Sequence, residues 1–357
     1  MGNMYTFVLY AVVVLGAVVF LMAGYAVLTR YLSERRQTRA SKLRPRMVDA
    51  VDGFLDGRVE AADAQRELAA DRKLGLGVLL GVASARGRDE QVRLRPLVAP
   101  FDYERKQLEA LAGGNPTKRA NAAVHLGYLG SDAAAPALLA ALNDEHLDVR
   151  LAAAQALVQM RRSVTVVPIL RALALPGRWP LQRATELLYG FGAVAVAPLQ
   201  HLLAQRNDAE STVMPTVAIN VLGLLGAREA AGQVAGWLDH PEAEIRVTAA
   251  KALGNMHEPA VADALMQALR DTEWQVRSMA AKSLGRLGEE RAIPALDGAL
   301  GDPAWWVRYN AANALAGLGG DGLGALHRAL ATQADPFARD ICRQTLEEHN
   351  LIEEATP

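Results

Sequence analysis

The sequence predicts an all-α protein: an α-solenoid of about seven helix pairs plus a cap, preceded by a single transmembrane helix. Three observations predict it. A leucine returns at Leu126, Leu157, Leu188, Leu222, Leu253, Leu284, Leu315 and Leu346, in six steps of 31 residues and one of 34. A period of that size marks stacked supersecondary units. Around these leucines the apolar residues keep helical spacing, and nothing in the period alternates as a strand does. At the amino terminus, Tyr5 to Leu28 carry no charged side chain. At ~1.5 Å per residue that run matches the ~30 Å hydrocarbon core of a bilayer.

The first element, residues 1–29, reads as a retained anchor. A secretory signal needs a basic start and a shorter apolar stretch, and Met1–Met4 holds no basic residue. The juxtamembrane linker, 30–46, follows at once with Arg30, Arg35, Arg36, Arg39, Lys42, Arg44 and Arg46, opposed only by Glu34. Positive charge beside a span marks its cytoplasmic side. The expected orientation is a very short external amino terminus with the solenoid in the cytoplasm. The Ala/Arg/Gly-rich composition places this at a bacterial inner membrane. Small residues inside the span (Gly16, Ala17, Ala23, Gly24) give only a weak basis for pairing of two spans.

Charge also restricts the partner. Seven basic residues against one acidic residue make the linker +6, so with the whole chain at −1 the remainder is −7. A concave face that binds nucleic acid needs the opposite sign, so no nucleic-acid partner is expected. Residues 47–100 read as a helical leading region that caps the solenoid, broken by Gly75, Gly77 and Gly81 and closed by Pro96 and Pro100.

The repeats occupy 101–350, with a short tail at 351–357. The clearest units run Asp271-Thr-Glu-Trp-Gln-Val-Arg277-Ser-Met-Ala-Ala-Lys-Ser-Leu284-Gly and Asp302-Pro-Ala-Trp-Trp-Val-Arg308-Tyr-Asn-Ala-Ala-Asn-Ala-Leu315-Ala. Val307, Ala311, Ala314, Leu315 and Leu318 fall at i, i+4, i+7, i+8 and i+11, one stripe of an amphipathic helix. The acidic residue ahead of each run is a natural N-cap, and Gly319–Gly320 is a stop signal. A second, shorter helix follows, often entered near a proline (Pro136, Pro168, Pro198, Pro294). Pro336–Glu348 supplies the closing helix.

The pattern Asp-x-x-x-x-Val-Arg-x-x-Ala-Ala-x-x-Leu-Gly resembles the HEAT-like repeats first described in phycobilin lyases. The arginine seven residues before each leucine is present as Arg119, Arg150, Arg246, Arg277, Arg308 and Arg339. The resemblance implies a structural ladder in which it bonds the acidic cap or the carbonyls of adjacent units. Leu181 and Pro215 replace it in the middle units, where the spacing stretches by three through Gln205–Val213. That irregularity fits either drift in a tolerant loop or a change of curvature.

No catalytic constellation is visible, and no cofactor or metal is expected. Cys342 lies four residues before Leu346 on one helical face, as a core thiol does, and a single cysteine forms no internal disulfide. The seven histidines lack ligand spacing. Deoxyhypusine hydroxylases, enzymes of similar repeats, carry several His-Glu pairs for a di-iron centre, whereas this chain has one, His257-Glu258.

The stripe opposite the core carries the best binding candidates. It holds Trp306, Tyr309, Asn310 and Asn313 with Trp305 beside it, then Gln275, Ser278, Met279, Lys282 and Arg286 with Trp274, then Glu244, Val247, Thr248, Lys251 and Asn255. The resemblance places this helix on the concave side. Tryptophan, tyrosine and arginine dominate interface energetics, so Trp274, Met279, Lys282, Arg286, Trp305, Trp306, Tyr309 and Asn313 form the expected partner-binding patch. The tryptophans equally suit covering seams between stacked helices. The expected function is a membrane-anchored cytoplasmic scaffold or adaptor that binds a membrane-associated protein partner and is not itself an enzyme. The alternative is a lyase-type or chromophore-handling component with its ligand held in the groove.

Overall fold

A computed structural model describes residues 2–174, 180–206 and 212–349; for residues 2–19, 26, 32, 33, 36, 88 and 132 it describes the backbone only. The expected tail at 351–357, Trp179 and most of the stretched loop Gln205–Val213 lie outside the described residues. Among those residues the secondary structure is entirely helical. The chain divides into two compact units, one of Met1–Gly113 with Tyr128–Gly130 and one of Gly114–Gly127 with Ser131–Pro357.

The first unit begins with α1 (Gly2–Leu55) and continues through α2 (Ala61–Ala69), α3 (Arg72–Ala85), α4 (Arg88–Arg93), α5 (Arg95–Val98) and α6 (Tyr103–Leu111). The junctions expected at residues 29 and 46 do not interrupt α1, which runs on through Pro45. Met47, Val51 and Leu55 at its far end are buried with Leu68, Leu79 and Leu97. Arg86 ties α3 back to α1 with a 2.8 Å pair to Asp52. The expectation that glycines break this region is corrected: α3 passes unbroken through Gly75, Gly77 and Gly81. At Gly75 the reason is close approach, because a Cβ there would sit 2.2 Å from the carbonyl oxygen of Leu68.

The expected span is not supported as an element of the structure. Among the described residues no single helix is long and apolar enough to cross a membrane. Most of Tyr5–Leu28 falls on residues whose side chains lie outside the described set. What is described, Phe20, Leu21, Met22, Tyr25, Val27 and Leu28, is exposed on α1.

The solenoid is a run of helix pairs: α7 (Pro116–Leu129) with α8 (Ala135–Ala141), α9 (Leu147–Met160) with α10 (Ser163–Leu173), α11 (Leu181–Tyr189) with α12 (Val196–Ala204), α13 (Val213–Leu224) with α14 (Ala231–Ala235), α15 (Ala243–Met256) with α16 (Ala262–Ala268), α17 (Trp274–Leu287) with α18 (Ile293–Ala299), and α19 (Trp305–Gly317) with α20 (Gly320–Thr332). Then α21 (Pro336–Glu348) closes the run. All eight periodic leucines are fully buried, so the beat in the sequence is the beat of the core. Pro136 and Pro294 enter their helices in the first turn, whereas Pro168 sits inside α10.

The first helices pack on one another, α13 on α15, α15 on α17 and α17 on α19, more extensively than the second helices do. The side on which helices approach most closely is the inner side of a curved stack. The glycine after the leucine permits that approach. A Cβ on Gly223 would lie 2.7 Å from Cα of Ala252, one on Gly254 2.5 Å from Oγ of Ser283, and one on Gly285 2.8 Å from Cα of Ala314.

The first helices also end alike. Arg161, His257 and Gly288 each stand at a helix C-cap in the left-handed region, with φ of 48°, 52° and 69°. Only glycine adopts that conformation without a Cβ penalty.

Candidate functional site

The periodic arginines sit between units. Arg277 donates from Nε and Nη2 to both carboxylate oxygens of Asp302 at 2.6 and 2.9 Å. Its Nη1 donates to the carbonyls of Asp271 and Thr272 at 2.8 and 3.1 Å. Arg246 binds Asp271 at 2.7 and 2.8 Å, and Arg119 binds Asp144 at 2.7 and 3.0 Å. Arg246, like Arg277, also holds its own unit by backbone oxygens, those of His240 and Pro241 at 2.8 and 2.9 Å, and all three arginines hold the next unit by a bidentate carboxylate, the strong form of a charged hydrogen bond.

The acid does not cap as expected. Asp144, Asp271 and Asp302 stand three residues ahead of the helix, and each accepts from the amide two residues on at 2.8–2.9 Å. That turn aims the carboxylate back at the preceding unit. The Arg119 hydrogen bond, helped by the amide of His146, holds the Asp144 carboxyl below the ordinary carboxylate range against the cost of burial. Burial pushes the Asp271 carboxyl up, but Arg246 and the amide of Glu273 outweigh it and the net shift is downward.

Each bidentate aspartate lies 25 residues after its arginine, and this register shows where the ladder stops. Position 175 is Leu, 240 is His and 333 is Gln. Arg150 and Arg308 keep their bonds to carbonyls of their own units. Arg339, in the closing helix, makes no ion pair among the described residues. Across from the missing arginine at Pro215, the His240 ring accepts from the amide of Glu242 at 3.0 Å, which is the turn-forming half of the aspartate's role. His240 stacks on Trp237, and the Arg206 guanidinium covers Trp237 from 5.3 Å while its Nη2 reaches Asp239 at 2.7 Å.

The predicted partner-binding residues divide into two groups. The aromatic ones are solvent-facing: Trp274 is 40% exposed, Trp305 41% and Trp306 52%. Trp305 and Tyr309 stack at 5.0 Å, and Trp306 meets Trp305 edge-on at 4.7 Å. Phe337, 67% exposed at the start of α21, extends the row by one unit. The polar ones are partly used within the stack. Arg286 donates to Oδ1 of Asn255 at 2.7 Å, and Asn313 donates to the Tyr309 carbonyl at 2.8 Å. Ser278 and Thr248, expected on the exposed stripe, are buried; the Ser278 hydroxyl accepts from Asn310 and donates to the Trp306 carbonyl. Lys282 is exposed and Met279 half-buried. Arg30, Arg35 and Arg39 lie on exposed α1, and the Arg36 side chain falls outside the described set.

Sequence reasoning missed a pocket of about 460 Å³ on the inner face, lined by Leu181, Gln182, Thr185, Glu186 and Tyr189 of α11, Asn220 and Leu224 of α13, and Lys251, Ala252 and Asn255 of α15. It lies at the irregular units. Where Gly223, Gly254 and Gly285 follow their leucines, Tyr189 follows Leu188. Here α11 packs on α13 less extensively than the later first helices pack on one another, and Tyr189 lines the space between them. The signal was present as the one aromatic residue at the glycine position.

Among the described residues no three metal-ligating side chains converge. Cys342 is fully buried, and burial pushes its thiol up to about 11, so it stays protonated and packs as an apolar group. What the fold defines is an all-helical repeat solenoid. The pattern of the HEAT repeats family matches residues 105–188, 199–274 and 262–347. The chain belongs to the HEAT-repeat family. It is similar to phycocyanobilin lyase subunit alpha of Picosynechococcus sp., 34% identical over 162 residues, covering 45% of this chain and 52% of that protein. The Nostoc sp. subunit of the same name is 31% identical over 182 residues, 50% of this chain and 56% of that one. The chain therefore spans about half the length of these curated relatives. A solved complex of CpcE and CpcF of phycocyanin lyase from Nostoc sp. aligns at 24% identity and a TM-score of 0.33, covering 42% of this chain and 97% of that one.

Proposed function

We propose that the solenoid is a ligand-holding component of the lyase type, acting through the inner face of its first helices. The carrying observation is the 34% identity over 162 residues to a phycocyanobilin lyase subunit. The pocket on α11, α13 and α15 gives that likeness a place to act. The test is a titration of the purified full chain with phycocyanobilin, followed by visible absorbance. Saturable binding at one site with a shifted band supports the reading, and an unshifted spectrum at saturating pigment overturns it.

A second reading, a scaffold for a protein partner, rests on the exposed row Trp274, Trp305, Trp306 and Phe337. Aromatic groups of this kind anchor interfaces. Trp306→Ala combined with Tyr309→Ala removes the centre of the row. Loss of a co-purifying partner at an unchanged melting temperature supports the scaffold; retained capture rejects this patch.

We further propose that Tyr5–Leu28 anchors the chain in a bacterial inner membrane, with the basic residues of 30–46 on the cytoplasmic side. Its support is the charge-free run and the exposure of Phe20, Leu21, Met22, Tyr25, Val27 and Leu28 on α1. Carbonate extraction of membranes tests it, and release into the soluble fraction rules it out.

A further inference from the structure

We infer that the pocket between α11, α13 and α15 binds a small molecule that joins an apolar, ring-sized body to a carboxylate or comparable anion. This deepens the ligand-holding reading, on which it rests, by naming the class of ligand and the residues that take it.

The apolar half of the argument is the uncovered surface. Tyr189 is 49% exposed and Leu224 51%, and both line the pocket. Covering such apolar area removes it from water, which favours binding. The volume, about 460 Å³, lies within the ~300–1,000 Å³ typical of small-molecule sites. Tyr189 stands on the pocket wall at the position that Gly223, Gly254 and Gly285 hold in the three units that follow.

The polar half is the charge and donor set. Lys251 lies on the pocket wall, and Arg286 stands one unit on, reaching back to Asn255. Because Arg286 occupies Oδ1 of Asn255, that amide is left with its NH₂ to donate. Asn220 provides a second amide. The one acid on the wall, Glu186, already accepts from Gln182 at 3.1 Å and pairs with Arg183 at 3.2 Å. Lys282, at the position of Lys251 in the following unit, is exposed one helical turn before Arg286. Outside the basic linker the chain is net −7, as the difference between −1 and +6, so this positive spot stands out against its own surface. Cations and amide donors beside an aromatic and aliphatic floor match an anion carried on an apolar body.

The experiment uses the full chain and two fluorescent probes, the anion 8-anilinonaphthalene-1-sulfonate and its uncharged relative N-phenyl-1-naphthylamine. Saturable binding of the anion is expected, weakened about tenfold or more by Lys251→Gln and by Tyr189→Ser. The uncharged probe is expected to lose affinity with Tyr189→Ser and to ignore Lys251→Gln. Circular dichroism melts check that each variant folds, and Lys251→Glu, a surface reversal, serves if Tyr189→Ser does not. Non-saturable anion binding, or equal binding by wild type and folded variants, overturns the inference. If the anion binds as expected but phycocyanobilin neither binds nor displaces it, the site stands and the lyase reading falls. If phycocyanobilin binds and ignores both substitutions, the lyase reading stands and this site falls.

Discussion

Gly285 lies so close to Ala314 that a Cβ on the glycine would come within 2.8 Å of both Cα and Cβ of the alanine. Here the first helices α17 and α19 touch backbone to backbone. Gly285→Ala gains ~1 kcal/mol of helix propensity but must push two backbones apart, and overpacking costs ~1–3 kcal/mol. The expected net result is a loss of about 1 kcal/mol and a lower melting midpoint. Gly324→Ala in α20 is the control, since its new methyl group would meet only the flexible end of Arg328 at 3.4 Å. That variant should melt higher.

The interlocked arginines predict an acid limit. Asp144 and Asp271 both titrate below the ordinary carboxylate value in the folded chain, and that value is ~3.9 in the unfolded one. A depressed folded value means the unfolded state takes up protons first as pH falls. The stability these groups give is therefore complete above about pH 4 and is lost as pH falls through their folded values. Melting midpoints should stay flat from neutral pH to about 5 as far as these groups are concerned, then drop steeply. Arg246→Ala should flatten the drop, because Asp271 then has less to lose. An unchanged acid slope in that variant would show that other groups set the limit.

The left-handed helix ends predict gains and losses at equivalent positions. Arg161 occupies with φ 48° the place that Gly288 occupies with φ 69°. A side chain there costs ~1–2 kcal/mol, offset in part by the entropy a glycine adds to the unfolded chain. Arg161→Gly is expected to raise stability by about 0.5–1 kcal/mol, and Gly288→Ala to lower it by about 1. Chemical denaturation of both variants reads the opposite signs directly.

How much of this was legible follows from where each feature resides. The eight leucines announce the core because each unit buries the same residue, and repetition multiplies a weak local signal. The ladder needed one more number than the sequence offered by eye, the 25-residue offset, since its acid belongs to the next unit. The pocket was hidden because it is made by what fails to approach. Tyr189 is an ordinary residue in its own helix and becomes informative only beside Gly223, Gly254 and Gly285. The exposed stripe misplaced Ser278 and Thr248 for a related reason: close first-helix packing buries positions that an isolated helix leaves open.

The broken end of the ladder offers a repair. Arg308 is buried, its Nη1 is held by the carbonyls of Asp302 and Pro303, and its Nε finds no hydrogen-bond partner. In the units where the ladder closes, Nε donates to an aspartate 25 residues on; here that position is Gln333, three residues ahead of α21. Gln333→Asp places a carboxylate where Asp302 stands for Arg277. A charged hydrogen bond of this kind is worth about 1.5–3 kcal/mol, less the cost of removing a second charge from water, so a net gain of about 1 kcal/mol is expected. The check is a double-mutant cycle by thermal melting. Gln333→Asp should stabilise the chain when Arg308 is present and destabilise it, or do nothing, in an Arg308→Met background. Equal effects in both backgrounds would mean the new carboxylate acts on the α21 turn alone and the ladder has not been extended.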